Sequence, residues 1–153
     1  MTTILRALLA LTMLVGTAAA ADKPNYSGEW KMNAAKSSFG PMPAPSSIVR
    51  KVTHSEPSLV IVEEQLSDLG AQNTTRKYTT DGKEMSFEAQ GAEVTSSAVW
   101  DGAAIVVVSN VNVAGLQFVD RMTVSEDGKT LTSAVHITSP QGDLDIKLVF
   151  DRQ

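Results

Sequence analysis

The side chains that most often bind metal ions are sparse in this sequence. It has two histidines, His54 and His136, and no cysteine, so a zinc site would need both histidines together with carboxylates from other segments. His136 stands among the polar positions of an alternating segment, and His54 closely precedes Glu56-Pro57. This spacing favours two ordinary surface histidines and predicts no metal site.

Catalytic patterns are also missing from the sequence. No Gly-x-Ser-x-Gly motif marks a nucleophilic serine, and no glycine-rich phosphate loop leads into a helix. The acidic pairs Glu63-Glu64 and Asp143/Asp145 fall on polar faces of their segments, whereas the two carboxylates of a glycosidase face each other across a cleft, about 5–10 Å apart. The sequence therefore predicts no catalytic residue and no cofactor.

Several charged or polar residues stand at positions of the alternating segments that otherwise hold apolar side chains. They are Arg50, His54, Arg76, Asp120 and Arg152. On an inward face such charges would need one another or a ligand with a charged head group, because an unpaired buried charge is costly. A shift of one residue in strand register would instead put them in solvent. We expect the solvent position for Arg50 and Arg76, and both positions stay open for Asp120 and Arg152.

The elements that would position these side chains are β-strands. Apolar and polar residues alternate, most regularly over 143–151, where every second side chain from Leu144 to Phe150 is apolar. Asp-Gly pairs at positions 81, 101 and 127 mark tight turns between such segments. The predicted strands span residues 26–33, 47–55, 58–66, 73–80, 84–90, 93–100, 103–112, 116–125, 130–138 and 143–151.

The connections between these strands decide the fold class. They are too short for the crossover helices of a parallel sheet, and the one long connection, 34–46, contains three prolines and should be extended after one helical turn over 34–37. We therefore predict an all-β domain, a single antiparallel up-and-down meander of about eight to ten strands that closes into a barrel. A closed barrel of this size can hold one small ligand inside.

The first 21 residues have the composition of a cleavable signal peptide. Arg6 supplies a positive charge, residues 7–15 form an apolar run, and Ala18–Ala21 provide the small side chains that signal peptidase requires. The run is shorter than a membrane-spanning helix, which needs about 20 apolar residues, and a chain without cysteine cannot carry a lipoprotein anchor. We expect cleavage after Ala20 or Ala21, with 1–21 as signal peptide and 22–153 as one β-barrel domain, periplasmic or secreted.

The charge balance of this domain excludes some partners. The chain has 13 basic and 17 acidic residues; without Arg6, 12 basic residues against 17 acidic ones leave a net charge of −5. A mildly acidic domain whose charges are spread along the chain is not expected to bind nucleic acid or an anionic membrane surface. The lack of cysteine fits an exported domain that depends on its apolar core.

The start of the domain carries a recognisable motif. Gly28-x-Trp30 on the first predicted strand of a meandering β-chain resembles the calycin group, the lipocalins and fatty-acid-binding proteins. The longer string 27–41, Ser-Gly-x-Trp-Lys-x-Asn-x-x-Lys-Ser-x-Phe-Gly-Pro, resembles the opening of exported bacterial lipocalin-like β-barrel proteins of unknown function. The resemblance implies a lipocalin-like or fatty-acid-binding-protein-like barrel in which Trp30 plugs one end under a basic residue, Arg152 or Arg121. It implies no activity.

The leading functional hypothesis is a binding barrel for an apolar or amphipathic small molecule such as a lipid or fatty acid. In a closed sheet the more apolar phase of each strand must face inward, and we expect Val94, Leu131, Leu144 and Phe150 there. The predicted ligand-binding residues share this interior, and they are Met85, Phe87, Trp100, Phe118, Asp120, Met122 and Arg152. Asp120 would be the polar marker among them, with Arg152 as its partner.

Two alternatives to ligand binding stay open. Val106-Val107-Val108, followed by Val111 and Val113, is unusually apolar for a barrel exterior and would mark the interface of a protein–protein interaction module, an envelope inhibitor or assembly factor with a filled interior. An enzyme of unknown type is the third hypothesis. An inner cavity larger than about 300 Å³ would favour ligand binding. The sequence does not determine the oligomeric state.

Overall fold

The computed structural model describes residues 23–89 and 91–153, so the predicted signal peptide at 1–21 lies outside the described residues. Within these ranges the chain forms ten β-strands and two short 3₁₀ turns, Ala34–Lys36 and Asn112–Ala114. The strands are β1 Gly28–Met32, β2 Ser47–Ser55, β3 Ser58–Ser67, β4 Gly70–Thr79, β5 Met85–Ala89, β6 Ala92–Asp101, β7 Ala104–Val111, β8 Leu116–Val124, β9 Thr130–Ser139 and β10 Gly142–Arg152.

The strands form one antiparallel up-and-down sheet that curls into a barrel. Their order is β4-β3-β2-β1-β10-β9-β8-β7-β6-β5, so β1 pairs with β10 as well as with β2. The predicted all-β meander is confirmed. Its strand boundaries are also close to those observed, and the largest shift is at the start of β4, predicted at residue 73 and found at Gly70.

The long connection after β1 completes part of the wall. Its predicted helical turn is confirmed as a 3₁₀ turn, in which the Asn33 side chain accepts a hydrogen bond from Lys36 N–H at 3.2 Å. Ser38 then pairs with Lys147 of β10 through two backbone hydrogen bonds of 2.7 and 2.8 Å. Phe39 packs against the buried core, so this segment extends the wall beside β10.

Hydrogen bonds do not close the barrel all the way round. Within the described sheet, β4 and β5 are its two edges and do not pair with each other. At one end the turn after β4 reaches past β5 to β6, where Gly82 N–H donates to Ala98 C=O at 2.9 Å. The rings of Tyr78 and Phe87 meet edge to face, with centroids 6.2 Å apart. Side chains therefore bridge the gap between β4 and β5 at this end.

The barrel end at which β1 begins is filled by large buried side chains, which we call the floor. The floor residues are Trp30, Leu59, Ile105, Met122, Leu131 and Phe150, each no more than 2% exposed. Tyr26 crosses the floor, where its hydroxyl donates to Met122 C=O at 2.8 Å and its carbonyl accepts from Trp30 Nε1 at 3.0 Å. This packing seals one end of the barrel.

Gly28, Trp30 and Arg152 form one structural unit at the floor. The guanidinium carbon of Arg152 lies 4.1 Å from the centre of the Trp30 ring, which confirms the arrangement that the resemblance implies. Its guanidinium also donates to the carbonyls of Ser27 at 2.7 Å and Gly128 at 2.6 Å. Gly28 has a φ of +144°, and a Cβ there would lie 2.5 Å from Arg152 Nη1. The motif needs glycine because the arginine occupies the space of a side chain.

We predict that Gly28→Ala destabilises the fold by about 1–3 kcal/mol, because the backbone is strained and the new methyl group meets Arg152. Gly142→Ala is the matched control: its φ is +124°, but nothing lies within 4 Å of its Cβ position. Chemical denaturation should show the larger loss for Gly28→Ala, and that loss should shrink when Arg152 is also replaced by alanine. Equal losses for the two glycine variants, without coupling to Arg152, would contradict this account.

Candidate ligand-binding lumen

The exposure of inward-facing side chains changes along the barrel. They are buried at the floor, but toward the other end those of β8, β9 and β10 are half-buried. Strand register puts these half-buried residues on the same inner face, and the apolar ones are Phe118, Val135, Ile137, Leu144 and Ile146. We call them the apolar wall and the space that they border the lumen. An inward side chain that keeps part of its exposure lines a space that solvent can reach.

The opposite side of the lumen is polar. Here β3 and β4 contribute the half-buried residues Gln65, Gln72 and Thr74, and Gln65 and Gln72 are register partners. In the strand order, β3 and β4 lie five positions from β8 and β9, which is halfway round a ten-stranded barrel. The lumen thus has one apolar and one polar side.

Two depressions of about 400 Å³ each adjoin this architecture. One lies beside Phe87 and Gly91, next to the unpaired edge of β5. The other is lined by Val135 and Ile146 of the apolar wall and by exposed residues of the outer face, among them His136, Asp145 and Lys147. Both are open to solvent. In the part of the chain that the structure describes, they are clefts at the barrel wall and not the enclosed chamber lined by Phe and Met that would favour ligand binding most.

The predicted ligand-binding residues divide between three places. Phe87, Phe118 and Asp120 face the lumen and are half-buried, and Met85 shares the inner face of β5. Met122 belongs to the floor, and Trp100 lies at that end as well, where its ring contacts Tyr26 with centroids 5.9 Å apart. Arg152 stacks on Trp30 and is exposed to solvent. The prediction that Arg152 partners Asp120 is therefore wrong.

Three charged side chains meet just above the floor on the polar side. Glu63 Oε2 accepts hydrogen bonds from Arg76 Nη2 at 2.8 Å and from Arg50 Nε. The guanidinium carbon of Arg50 lies 4.4 Å from the centre of the Phe150 ring. Burial by itself would raise the pKa of Glu63, but the charges of the two arginines outweigh burial and lower the pKa to about 2. Glu63 is thus ionised at neutral pH and shared by two cations.

Asp120 reaches the same region from β8. Its Oδ1 accepts a hydrogen bond from Ser133 Oγ at 2.5 Å. Burial raises the pKa of Asp120 above its ordinary value, although the charges of Arg50 and Arg76 pull in the opposite direction. Asp120 therefore lies within the electrostatic reach of both arginines while its hydrogen bond goes to a hydroxyl group.

The expectation that Arg50 and Arg76 lie in solvent is wrong, because both point inward. Arg50 is 3% exposed, and the Arg76 side chain is 22% exposed. The register pairs Arg50 with Glu63 and Ile61 with Arg76, so these side chains share the inner face. Glu63 was also misplaced on a polar face. Glu63 stands two residues after the buried Ile61, and side chains two residues apart in a strand face the same side. Sequence analysis missed this indication that Glu63 points inward.

Two guanidinium nitrogens of this cluster are buried without a partner. Arg50 Nη1 and Arg76 Nε have no hydrogen-bond acceptor among the residues that the structure describes. A buried N–H group without an acceptor costs about 1–3 kcal/mol. The side chains of Arg76 and Glu63 nevertheless keep 22% and 14% of their exposure, so the lumen reaches the cluster. The two nitrogens themselves are buried, so the exposure of the cluster comes from other atoms of Arg76 and Glu63.

His54 is not the surface residue that its position in the sequence suggests. It is 9% exposed, and its Nδ1 accepts a hydrogen bond from Tyr26 N–H at 3.3 Å. Its Nε2 lies 2.8 Å from Glu56 Oε1, which also accepts from Trp100 Nε1 at 3.0 Å. This network ties the segment before β1 to the floor, so the structure gives His54 a structural role.

His136 lies on the outer face of β9, as predicted, with Nδ1 2.7 Å from Asp145 Oδ1. Within residues 23–89 and 91–153, no group of three or more histidine and acidic side chains is arranged to hold a metal ion. Over the same ranges, no helix has the length and apolar character to cross a membrane.

Comparison with solved structures finds the same fold in several known proteins. A secretory abundant heat soluble protein from Ramazzottius varieornatus superposes with a TM-score of 0.65 at 11% identity, over 84% of this chain and 95% of that protein. A fatty-acid-binding protein from Echinococcus granulosus gives a TM-score of 0.57 at 12% identity, over 83% and 96% of the two chains. At these identities the similarity shows the fold alone.

A third solved structure has the same architecture. The zebrafish ileal bile-acid-binding protein, complexed with cholic acid, gives a TM-score of 0.60 at 13% identity, over 84% of this chain and 98% of that one. By sequence, no protein-family model and no curated protein matches the chain. The described domain is therefore a ten-stranded barrel of the fatty-acid-binding-protein type, and its function has to be argued from the lumen.

We predict that Glu63→Gln costs about 3–5 kcal/mol at neutral pH, because it leaves two buried arginines without their counter-ion. The pKa of Glu63 is about 2 in the folded state against an ordinary value of 4.5. Its stabilisation is therefore complete above pH 4.5 and is lost as the pH falls toward 2. Urea denaturation over this range should show the difference between wild type and Glu63→Gln shrinking with acid.

The neighbouring residue supplies the control for this measurement. Glu64 is exposed, so Glu64→Gln should change the unfolding free energy by less than about 0.5 kcal/mol. A Glu63→Gln variant as stable as Glu64→Gln, with a pH profile parallel to that of the wild type, would show that the ion cluster does not stabilise the barrel.

Proposed function

We propose that this protein is a binding barrel for an apolar or amphipathic small molecule, such as a lipid or fatty acid, and that it acts in the periplasm or outside the cell. The observation that carries the proposal is the half-buried apolar wall above a packed floor. Covering accessible apolar surface is favourable by about 25 cal/mol per Å², so a molecule that lies along this wall gains free energy. A barrel of this size accommodates one such molecule.

The structural neighbours support this proposal. One is named as a fatty-acid-binding protein, and another was solved with cholic acid, a molecule with an apolar body and an acidic end. The lumen of the present barrel has the matching division, with its apolar wall on one side and polar residues on the other. We infer an amphipathic ligand from this division.

The location is proposed on different grounds. Residues 1–21 have the charge, apolar run and small residues of a signal peptide. The string 27–41 resembles the opening of exported bacterial lipocalin-like proteins, and we propose that the chain is one of them.

A second candidate, a protein–protein interaction module, is favoured by the outer face of β6 to β8. Val99 is 45% exposed, and the register places Val106 beside it and Val108 beside Val119. Such an apolar outer patch is typical of an interface. The half-buried apolar wall favours ligand binding over this candidate, whereas the two open clefts, neither of them an enclosed chamber, do not separate the two.

We predict that dansyl-labelled undecanoic acid binds in the lumen with a saturable increase in fluorescence. Ile137→Trp should fill part of the lumen and weaken binding at least about tenfold, which corresponds to 1.4 kcal/mol. Thr138→Trp adds the same side chain one residue further along β9, on the outer face, and should leave binding unchanged. Absence of saturable binding by the wild-type protein would leave the interaction module as the better candidate, and equal effects of both variants would place binding outside the lumen.

We also predict that the protein recovered from the cell envelope or the medium begins at Ala21 or Asp22. Intact-mass spectrometry of that protein measures the cleavage site directly. A species that keeps residues 1–20 and sediments with membranes would contradict the export proposal without affecting the binding proposal.

A further inference from the structure

Most of the exposed large apolar side chains lie at the end of the barrel opposite the floor. In an up-and-down sheet every second connection lies at the same end, so the connections that follow β1, β3, β5, β7 and β9 surround this open end. We call them, with the adjoining strand ends, the rim, which comprises residues 38–47, 66–71, 88–89, 91–93, 111–116 and 138–143. Leu69 and Val113 lie in the rim with 90% and 86% of their surface exposed, and Met42 and Leu66 are exposed there too. Among the described residues, Val99 is the one other exposed large apolar residue, and it lies near the floor.

Backbone hydrogen bonds bring Met42 to this end of the barrel. Ser38 pairs with Lys147 of β10, and Ser46 N–H donates to the carbonyl of Leu66 on β3 at 2.7 Å. The segment between Ser38 and Ser46 therefore crosses from β10 to β3 at the open end and carries Met42 with it. The exposed apolar residues thus come from separate parts of the ring of strands.

The charged residues of the rim are all acidic. Its segments contain no lysine, arginine or histidine, and their charged residues are Asp68, Glu88, Glu93 and Asp143. Glu88 and Glu93 are exposed register partners, although like charges directly opposite each other destabilise a sheet. Asp143 lies 3.8 Å from His136 Nε2, whereas the other three form no ion pair with any residue that the structure describes. The rim therefore combines exposed apolar side chains with negative charge.

The size of the mouth within the rim matches the width of a helix. Ten tilted strands about 4.8 Å apart enclose a mouth roughly 15–20 Å across, and an α-helix with its side chains is about 10–12 Å wide. Leu69 and Val113 stand on nearly opposite connections of the ring, so one helix lying across the mouth reaches both. In the described part of the chain the helical elements are two three-residue turns, which are too short to cover the mouth.

We propose that the rim is a docking surface for an amphipathic basic helix of a partner protein. The apolar face of such a helix covers the exposed side chains of the rim, which is favourable because it removes apolar surface from water. The basic residues of the helix meet the acidic residues of the rim, and charges of opposite sign favour association and fix its orientation. This surface lies outside the lumen, so the inference goes beyond the proposed ligand binding.

The charges of the rim argue against two other occupants. A second copy of this chain would bring two acidic rims together, and the like charges would oppose the contact. A membrane surface with anionic lipids attracts basic segments and repels an acidic rim in the same way. A basic partner is the occupant that both the apolar and the acidic residues fit.

The test uses a synthetic probe in place of the partner helix. The probe is a fluorescein-labelled amphipathic peptide of about 18 residues with leucine on one face and lysine on the other. Fluorescence anisotropy should show saturable binding to the purified protein, and added salt should weaken it. Peptides with glutamate for lysine, or with serine for leucine, should each bind at least about tenfold more weakly, which corresponds to 1.4 kcal/mol.

Apolar variants locate the contact. Leu69→Ser combined with Val113→Ser should weaken binding of the leucine–lysine peptide at least about tenfold, because it removes apolar surface from both sides of the mouth. Val99→Ser is the matched control, since it removes an exposed valine near the floor, and it should leave binding unchanged. All three positions are exposed, so these variants should fold, and their melting curves check this.

Charge variants test the acidic part of the rim. Asp68→Asn combined with Glu93→Gln should weaken binding about threefold or more and reduce its dependence on salt. Glu84→Gln combined with Glu126→Gln removes the same net charge from exposed positions at the floor end, so it should bind like the wild type. Equal losses for the two pairs would show attraction by net charge alone and overturn the acidic contact.

The remaining outcomes identify a different occupant or none. Absence of saturable peptide binding, or an equal loss in Val99→Ser, would overturn the docking surface. Co-sedimentation of the wild type with phosphatidylcholine vesicles, lost in the Leu69/Val113 variant, would make the rim a lipid-binding surface instead. A dimer in native mass spectrometry that the same variant abolishes would make it a self-association surface. Each of these results contradicts the partner helix.

The lumen supplies an independent readout in the same proteins. The rim variants leave the apolar wall intact, so they should bind dansyl-labelled undecanoic acid as the wild type does. Failure of the peptide to bind, with normal binding of the acid, would overturn the docking surface and leave the binding barrel standing.

Discussion

The pairing of β1 with β10 is the contact on which the rest of this barrel depends. Because β4 and β5 do not pair in the described sheet, the chain without this contact would be two separate sheets, β1–β4 and β5–β10. Trp30 and Arg152 are partners across the pairing, and their stacking favours one register over its neighbours. Side chains alternate with a period of two, so a slip of one residue at this seam would turn the inner face of a sheet outward and remove the lumen.

Most of the fold could be predicted from local sequence, whereas the site could not. Antiparallel hairpins join strands that are adjacent in sequence, so alternation and turn residues are enough to locate strands and their order. The inner position of Arg50 and Arg76 depends on something else, the register between β2, β3 and β4. A charged residue at an inward position of a predicted strand normally indicates that the register has been assigned wrongly. The inward position becomes plausible once a residue of opposite charge, here Glu63, also points inward from the next strand. His54 was misjudged in the same way, since its partners Tyr26 and Glu56 come from outside its strand.

The position of the cluster explains why it is tolerated. Fully buried ion pairs are often weaker than the apolar packing that would replace them, because desolvation offsets the attraction. Here the cluster lies where the packed floor meets the accessible lumen, and Arg50 rests against Phe150 of the floor. Glu63 and Arg76 keep part of their exposure, which reduces their desolvation, while the low polarity of the floor below strengthens the attraction between them.

Stability by itself gives a poor account of the unpaired N–H groups. A barrel selected for packing could place methionine or leucine at position 76 and extend the apolar wall around the lumen, with neither the desolvation of a guanidinium nor the cost of a missing acceptor, about 1–3 kcal/mol each. The two arginines instead share Glu63 at the inner end of a half-buried apolar surface, and their charges also act on Asp120.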